Sequence, residues 1–529
     1  MNPRESKVYK MGIGSARSNS ISNFKFLILS LYLCVSVVNL SCSSKPIDLR
    51  TLVPAESLVY LETNDLAAAL QPIVDSKPFN EAATRKPDLS ALKGVQVAVA
   101  ITGFETSEEK LTDENSVGRV QPHFVAVADT HAWNYQAVAF AEQKLGGFVA
   151  DIYGGEPKLE KLDKGGGKYF TWTADDGRKA FAQVIDSVIY FANDASAIDK
   201  SLAVKRGEAD SIAAGGKVPT RVLNSLAAGY VSADGVAQIA AIAGLQFASQ
   251  ASDDAEVQSA VSGILPRLIR GAVTDISWSA SQSEQGYEDK WQVGMPAEMA
   301  GIFAETMKPG DQADSGLLQF APADSESVTQ YNFENPQIAW RSVLLASQKL
   351  TDPVTAKMFV VFANGLFEPY GVKDGEAFLG ASQGNILTVN GGDEDSVAVI
   401  AKTADPQKKR ASQSEEIFKE GGVASVDGYD ISGDTDTVRK CVEARNGTNL
   451  ARDPRLSAAS QTPAAVTSRG VDRDSAAHIA DLLAEKRSDN VRASQTFITE
   501  TRFIKTGMQR RTVSDFGFIG WLIAQLAAE

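Results

Sequence analysis

Three short segments of this chain have the form of a serine acyl-transferase site: Ser90-Ala-Leu-Lys93, Ser488-Asp-Asn490 and Lys505-Thr-Gly507. In that chemistry a lysine activates the serine, and the other two segments line the same cleft. The spacing argues against it. Nearly 400 residues separate the first two segments and only 15 the last two, whereas such sites place the second soon after the serine and the third well downstream. Lys505-Thr-Gly507 also falls where a hairpin turn is expected, and a turn needs its glycine for backbone reasons.

Other candidates are weaker. The only histidines are His123, His131 and His478. His123, Asp129 and His131 flank the apolar stretch Phe124 to Ala128 and converge only if the chain turns sharply, so they read as surface residues at strand ends. Neither a His-x-x-x-His nor a paired-cysteine spacing is present. Asp163-Lys-Gly-Gly-Gly-Lys168 is followed by Tyr169 and a strand, not by the Ser or Thr and helix of a phosphate loop, and reads as a hairpin turn. The run Asp393-Glu-Asp395 lacks the remaining oxygen ligands of a calcium loop. Cys441 shares an apolar helix stripe with Val438 and reads as an inert core thiol. No catalytic, metal or cofactor residue is therefore assigned, and no cofactor is expected.

Composition limits the partners. The chain has 529 residues, 43% of them apolar, which suits folded domains with large cores. Its formal charge is -14. Residues 1–41 hold five Lys or Arg and one Glu, a contribution of +4, so the remainder carries -14 - 4 = -18. A chain that acidic repels phosphate backbones, and no nucleic-acid partner is expected. Beyond Cys42 a single thiol, Cys441, remains, so stability rests on packing and not on disulfides.

The N-terminus supplies an address. A basic segment with Arg17 and Lys25 precedes the apolar run Phe26 to Leu40, the signature of a secretory signal. Leu40-Ser41-Cys42-Ser43-Ser44 resembles a bacterial lipobox, which makes Cys42 the expected lipid-attachment residue and residues 1–41 the signal. Asn39 departs from the aliphatic residue usual three positions before that cysteine. The alternative is an uncleaved anchor, because residues 26–44 are nineteen uncharged residues, enough to span a bilayer. Both readings keep the basic flank in the cytoplasm and place the bulk of the chain outside the bacterial inner membrane.

The mature chain reads as an internal duplication, with one half over residues 42–310 and the other over 311–529. Pro54-Ala-Glu-Ser57 before the strand Leu58 to Leu61 corresponds to Pro322-Ala-Asp-Ser325 before Val328 to Phe333. Asn64 and Asn335 are expected helix caps. Further on, Val188 to Ala192 with a helix bearing Ile198 and Leu202 corresponds to Tyr429 to Ser432 with a helix bearing Val438 and Val442. Each half closes on a hairpin and an apolar helix: Ile276 to Val293 then Ala297 to Met307, and Phe497 to Val513 then Phe516 to Ala528. Strands paired through short turns, with helices between groups, predict an α+β fold in which each half is an antiparallel or mixed sheet with helices on one face. Lys308 to Gly316 is the expected linker and Thr106 to Arg119 an expected surface loop.

The Pro-Ala-Asp/Glu-Ser entry and the repeated strand and capped helix resemble an uncharacterised bacterial family of exported proteins known only as a domain of unknown function. That resemblance implies structure and export but no activity. The expectation is a non-catalytic binding or scaffolding lipoprotein, anchored in the periplasm or at the outer membrane, with an unknown envelope ligand or protein as partner. A periplasmic hydrolase with its acid and base hidden among the carboxylates is the alternative.

Overall fold

The computed structural model describes residues 47–110, 116–214, 225–251, 266–393, 395–460, 463–484 and 493–527. The signal segment, Cys42 and Ser488-Asp-Asn490 lie outside them. The N-terminal strands are β1 (Val59–Thr63), β2 (Gln96–Lys110), β3 (Ser116–Asp129), β4 (Lys158–Lys164), β5 (Gly167–Thr173), β6 (Lys179–Ile185), β7 (Val188–Ala192), β8 (Ala227–Val231), β9 (Asp275–Ser283) and β10 (Gly286–Gly294). The remainder are β11 (Ser327–Asn332), β12 (Ser382–Asn390), β13 (Val397–Thr403), β14 (Val423–Val426), β15 (Tyr429–Gly433), β16 (Val466–Asp472), β17 (Gln495–Ile504) and β18 (Gly507–Ser514).

All eighteen join one sheet, and every ladder between described strands is antiparallel. The pairings run β4-β5-β6-β7-β3-β2-β1-β8-β9-β10, then β18-β17-β16-β11-β12-β13-β15-β14. β1 sits between β2 and β8 with Val59 opposite Ile101 and Val231; β11 sits between β12 and β16 with Ser327 opposite Asn390 and Gly470.

Helices cover both faces of the sheet, not one. In β2, Val97, Val99 and Ile101 join a core on one face, while Ala98 and Ala100 join a second core on the other. An unbroken apolar run such as Val97 to Ile101 is what burial on both faces demands, because alternate residues point opposite ways. The helix Ala195–Lys205, capped by Asp194, covers the second face over β3 and β7. The helix Thr435–Ala444, capped by Asp434, covers Leu387, Val389, Ala398, Ile400 and Ile431 on the same face of the C-terminal strands.

The opposite face carries the helices Leu66–Asp75, Lys77–Ala82, Pro336–Leu350, Ser475–Leu483 and the two closing helices, Ala297–Thr306 and Gly517–Ala527. Each closing helix crosses the sheet's midline. Phe303 meets Phe503 of β17 at 6.1 Å, whereas Phe518 meets Trp291 of β10 at 4.7 Å. No described helix is long and apolar enough to cross a membrane.

Three local expectations are corrected. Thr106 to Arg119 is not simply a loop: residues 106–110 and 116–119 extend β2 and β3 into a ribbon whose strands pair only with each other beyond the sheet. Asp65, not Asn64, caps its helix, accepting from the Ala68 N–H at 3.0 Å. Lys308 to Gly316 is docked, not free: Asp314 accepts from the Tyr429 hydroxyl at 2.9 Å and pairs with Lys402 at 2.9 Å.

Candidate functional site

The acyl-transferase segments do not converge. Ser90 opens an exposed 3-10 turn that leads into β2, and Lys505 and Thr506 form the β17–β18 turn. β2 lies five places from β18 and six from β17, roughly 24 to 29 Å at about 4.8 Å per strand. His123 lies within β3 and not at its end, with Nε2 3.3 Å from Glu105. It stands six residues, roughly 20 Å, from Asp129. His131 pairs instead with Asp129 at 3.2 Å. Among the described residues no group of three or more His, Cys, Asp or Glu is placed to hold a metal.

Gly165 and Gly166 make the β4–β5 turn, both at positive φ, and the run from Asn390 to Asp395 joins β12 to β13. Cys441 is fully buried, and burial pushes its thiol up to about 12, the opposite of an activated nucleophile.

One polar surface lies across the middle of the sheet, and of these motifs Lys505-Thr-Gly507 reaches its edge, Thr506 accepting from the Gln292 amide at 3.4 Å. Cross-strand partners place Gln330, Thr467, Glu500, Arg511, Lys290, Ser279, Ala228 and Glu62 in one row, on β11, β16, β17, β18, β10, β9, β8 and β1. Directly paired residues share a face, so the row lies on the face of the helices Ala195–Lys205 and Thr435–Ala444. Those helices cover the flanks, where Tyr230 of β8, Thr467 and Arg469 of β16 and Glu500 of β17 are buried, and β9, β10 and β18 form an open floor roughly 10 Å wide between them. Lys290, Gln292, Gln509 and Arg511 are exposed on it.

The floor arises from period-two alternation. In β9, Ile276, Trp278 and Ala280 face the helix-packed side and Ser277, Ser279 and Ser281 face the floor. In β10, Tyr287, Asp289 and Trp291 turn inward, and Glu288, Lys290 and Gln292 turn outward.

Charge organises the centre. Arg511 reaches Glu500 at 2.9 Å and Glu288 at 2.5 Å, and Lys290 reaches Glu288 at 2.7 Å. Burial pushes the Glu288 carboxyl up, but hydrogen bonds from Lys290 and Arg511 outweigh it and hold the group below the usual carboxylate range. Burial alone would lower the Arg511 guanidinium; its bonds to Glu288 and Glu500 raise it instead. Glu500 is only 4% exposed, so its charge depends on Arg511 for compensation. At the row's far end the buried Tyr60 hydroxyl donates to Glu62 at 3.0 Å. Burial, then the Glu62 charge, pushes that phenol well up.

This geometry favours holding a polar ligand over breaking one. Lys290 stands opposite Ser279, yet it is exposed and paired with Glu288, unlike the buried lysine that activates a serine. Glu288 and Glu500 share one arginine, and neither sits in the apolar pocket that would make it a general acid. Asp289 does have a raised carboxyl, at about 6, but it is buried on the other side of the sheet, away from the floor. The floor was missed from sequence because its residues come from separate strands. The signal that could have found it is the out-facing set Glu288-Lys290-Gln292 beside Glu500-Arg502 and Gln509-Arg511. No family model, curated protein or solved structure matches this chain.

Proposed function

We propose that this chain is a membrane-tethered, extracytoplasmic binding protein, non-catalytic, made of two related halves whose sheets join edge to edge at β10 and β18. Its ligand is held on the polar floor at that junction. The observation that carries the reading is the pair Arg511 and Lys290, exposed where the two proposed copies meet, with the buried Glu500 behind Arg511 and covered cores on either flank. Multiple charged and amide groups on one rigid sheet suit recognition, since a ladder holds side chains in fixed register.

The duplication is supported by registers and turns that correspond. Pro54 bridges to Ser211 and Pro322 to Asn449. The Ser57 N–H donates to the Pro54 carbonyl, and the Ser325 N–H to the Pro322 carbonyl, each at 3.2 Å. Val125 faces Ala192 as Ala398 faces Gly433, and Val231 faces Ile276 as Gly470 faces Phe497. Asp186 and Asp427 hold the corresponding β6–β7 and β14–β15 turns at φ 56° and 52°. On this reading Lys290 and Arg511 are equivalent residues lying opposite each other across the junction.

The ligand test is photo-cross-linking in the full chain within its native envelope. A photoreactive residue at Gln292 is expected to capture a specific molecule that one at Lys161 does not, and loss of capture on Lys290→Ala supports the floor. Equal capture at both positions overturns it. The tether is tested by Cys42→Ser, which is expected to release the protein into the soluble fraction or leave an unprocessed precursor. Unchanged size and membrane association defeat lipid attachment.

A further inference from the structure

The helix Pro353–Gly365 shows solvent an unusual face. Val354, Met358, Val361, Phe362 and Leu366, just past its end, are between 40% and 73% exposed. Ala356 and Ala363 on the other side are buried. Val354, Met358, Val361 and Gly365 follow a 4-3-4 spacing, the seam of a two-helix pair. A Cβ added at Gly365 would meet nothing within 4 Å, so the seam stays open to its end.

We infer that this face is the contact between two copies of the chain, paired about a two-fold axis with the helices antiparallel. An axis midway between Met358 and Val361 brings Met358 of one copy against the valine at 361 of the other. It sets Val354 opposite the glycine at 365, which lets the backbones approach closely.

Area supports a protein partner. At about 100 Å² of open surface per side chain, the five residues offer about 500 Å² per copy. Two copies together bury about 1,000 Å², the size at which a specific interface begins, from a patch as large as most monomers leave open.

Charge argues against a lipid surface. Lys357 is the only ionisable residue from Pro353 to Gly365, while exposed Asp352 and Glu368 stand at the two ends, so an anionic leaflet would repel them. Between those two ends the apolar face carries no carboxylate.

The test uses the full chain in its native membranes. Oxidation of Met358→Cys and Val361→Cys chains produced together is expected to give a species of twice the mass of the reduced chain, which neither the parent nor Lys161→Cys gives. Val361→Asp with Phe362→Asp is expected to weaken self-association at least tenfold, with unfolding like the parent's because both side chains are exposed. A parent that stays monomeric at micromolar concentration, or absence of the cross-link, overturns the inference. So does a double aspartate variant that loses lipid binding while keeping its mass.

Discussion

Asp289 in β10 and Phe518 in the last helix are joined by one hydrogen bond: the Phe518 N–H donates to the Asp289 carboxylate at 2.9 Å. The other carboxylate oxygen accepts from the Trp278 indole N–H, also at 2.9 Å. Phe518 packs edge-on to both Trp278 and Trp291, so the carboxylate fixes the start of a helix within an aromatic cluster. A negative group there is favoured by the helix dipole and satisfies a backbone donor that has no partner in its own helix.

That clasp predicts a pH dependence. Burial outweighs the two hydrogen bonds and raises the Asp289 carboxyl from 3.8 to about 6. The folded chain thus binds this proton more tightly than the unfolded chain. The group's contribution is full below the unfolded value and is lost as pH rises through about 6, a change of about 3 kcal/mol. Denaturant unfolding of the parent at several pH values between 4 and 7 should show that decline, and Asp289→Asn should lack it. Identical slopes in the two proteins would refute the assignment.

Gly507 predicts a backbone cost. Its φ is +137°, and a Cβ there would stand 2.0 Å from the Val293 carbonyl oxygen, at the end of the β10–β18 ladder. Gly507→Ala should therefore cost about 2 kcal/mol or more. Gly428 has φ +81° but meets nothing within 4 Å, so Gly428→Ala carries only the conformational cost, about 1 kcal/mol. Midpoints from chemical unfolding check the ordering, and equal losses would show that the carbonyl contact is unimportant.

Local features were legible where a local rule governs them. Asn335 caps with Pro336 behind it, Asp434 caps its helix, and Lys505-Thr-Gly507 turns the final hairpin. The pairing of β10 with β18 was not, because strands 221 residues apart carry no mark of each other when each merely alternates polar and apolar. The floor was hidden for the same reason: Glu288 or Arg511 alone reads as the solvated side of an ordinary strand. The outer β2–β3 ribbon looked like loop because, with no sheet neighbour, it has no core face to impose apolar alternation. The second helix layer was foreseeable from Val97 to Ile101, buried on both sides, but was not drawn from it.

On the floor, Arg511 and Lys290 should separate structural from binding roles. Glu500 is buried and pairs with Arg511, so Arg511→Ala leaves a carboxylate without its partner and should cost about 2 kcal/mol. Lys290 is exposed, and without it Glu288 keeps Arg511 as its partner, so Lys290→Ala should stay within about 0.5 kcal/mol. Thermal and denaturant unfolding measure both. A destabilised Lys290→Ala would disqualify it as a clean probe of ligand capture.

The crossing of the closing helices predicts how the chain behaves when cut. Ala297–Thr306 belongs by sequence to the N-terminal strands, yet Met299 and Phe303 pack with Phe503 of β17 and with Ala339, Val343 and Leu350 of the helix Pro336–Leu350. Gly517–Ala527 reciprocates. Phe518 packs on Trp278 and Trp291 of β9 and β10, and the buried Tyr287 hydroxyl beside it donates to the Ala69 carbonyl in the helix Leu66–Asp75. Separating residues 47–310 from 311–529 would also open the β10–β18 ladder, leaving two bare sheet edges. Each fragment keeps one core of its own, around Tyr60, Val125 and Ile198 in the first and Val328, Ile400 and Val438 in the second, but leaves the crossed-helix face open, so each alone should be markedly less stable than the whole chain. Mixed or co-expressed, they should form a 1:1 complex that regains the parent's unfolding midpoint, as the whole interface is restored without the covalent link at Gly310 and Asp311. Light scattering and unfolding curves of the fragments, singly and together, decide it. Two fragments that each unfold at the parent's midpoint and do not bind would show that the crossed helices are dispensable.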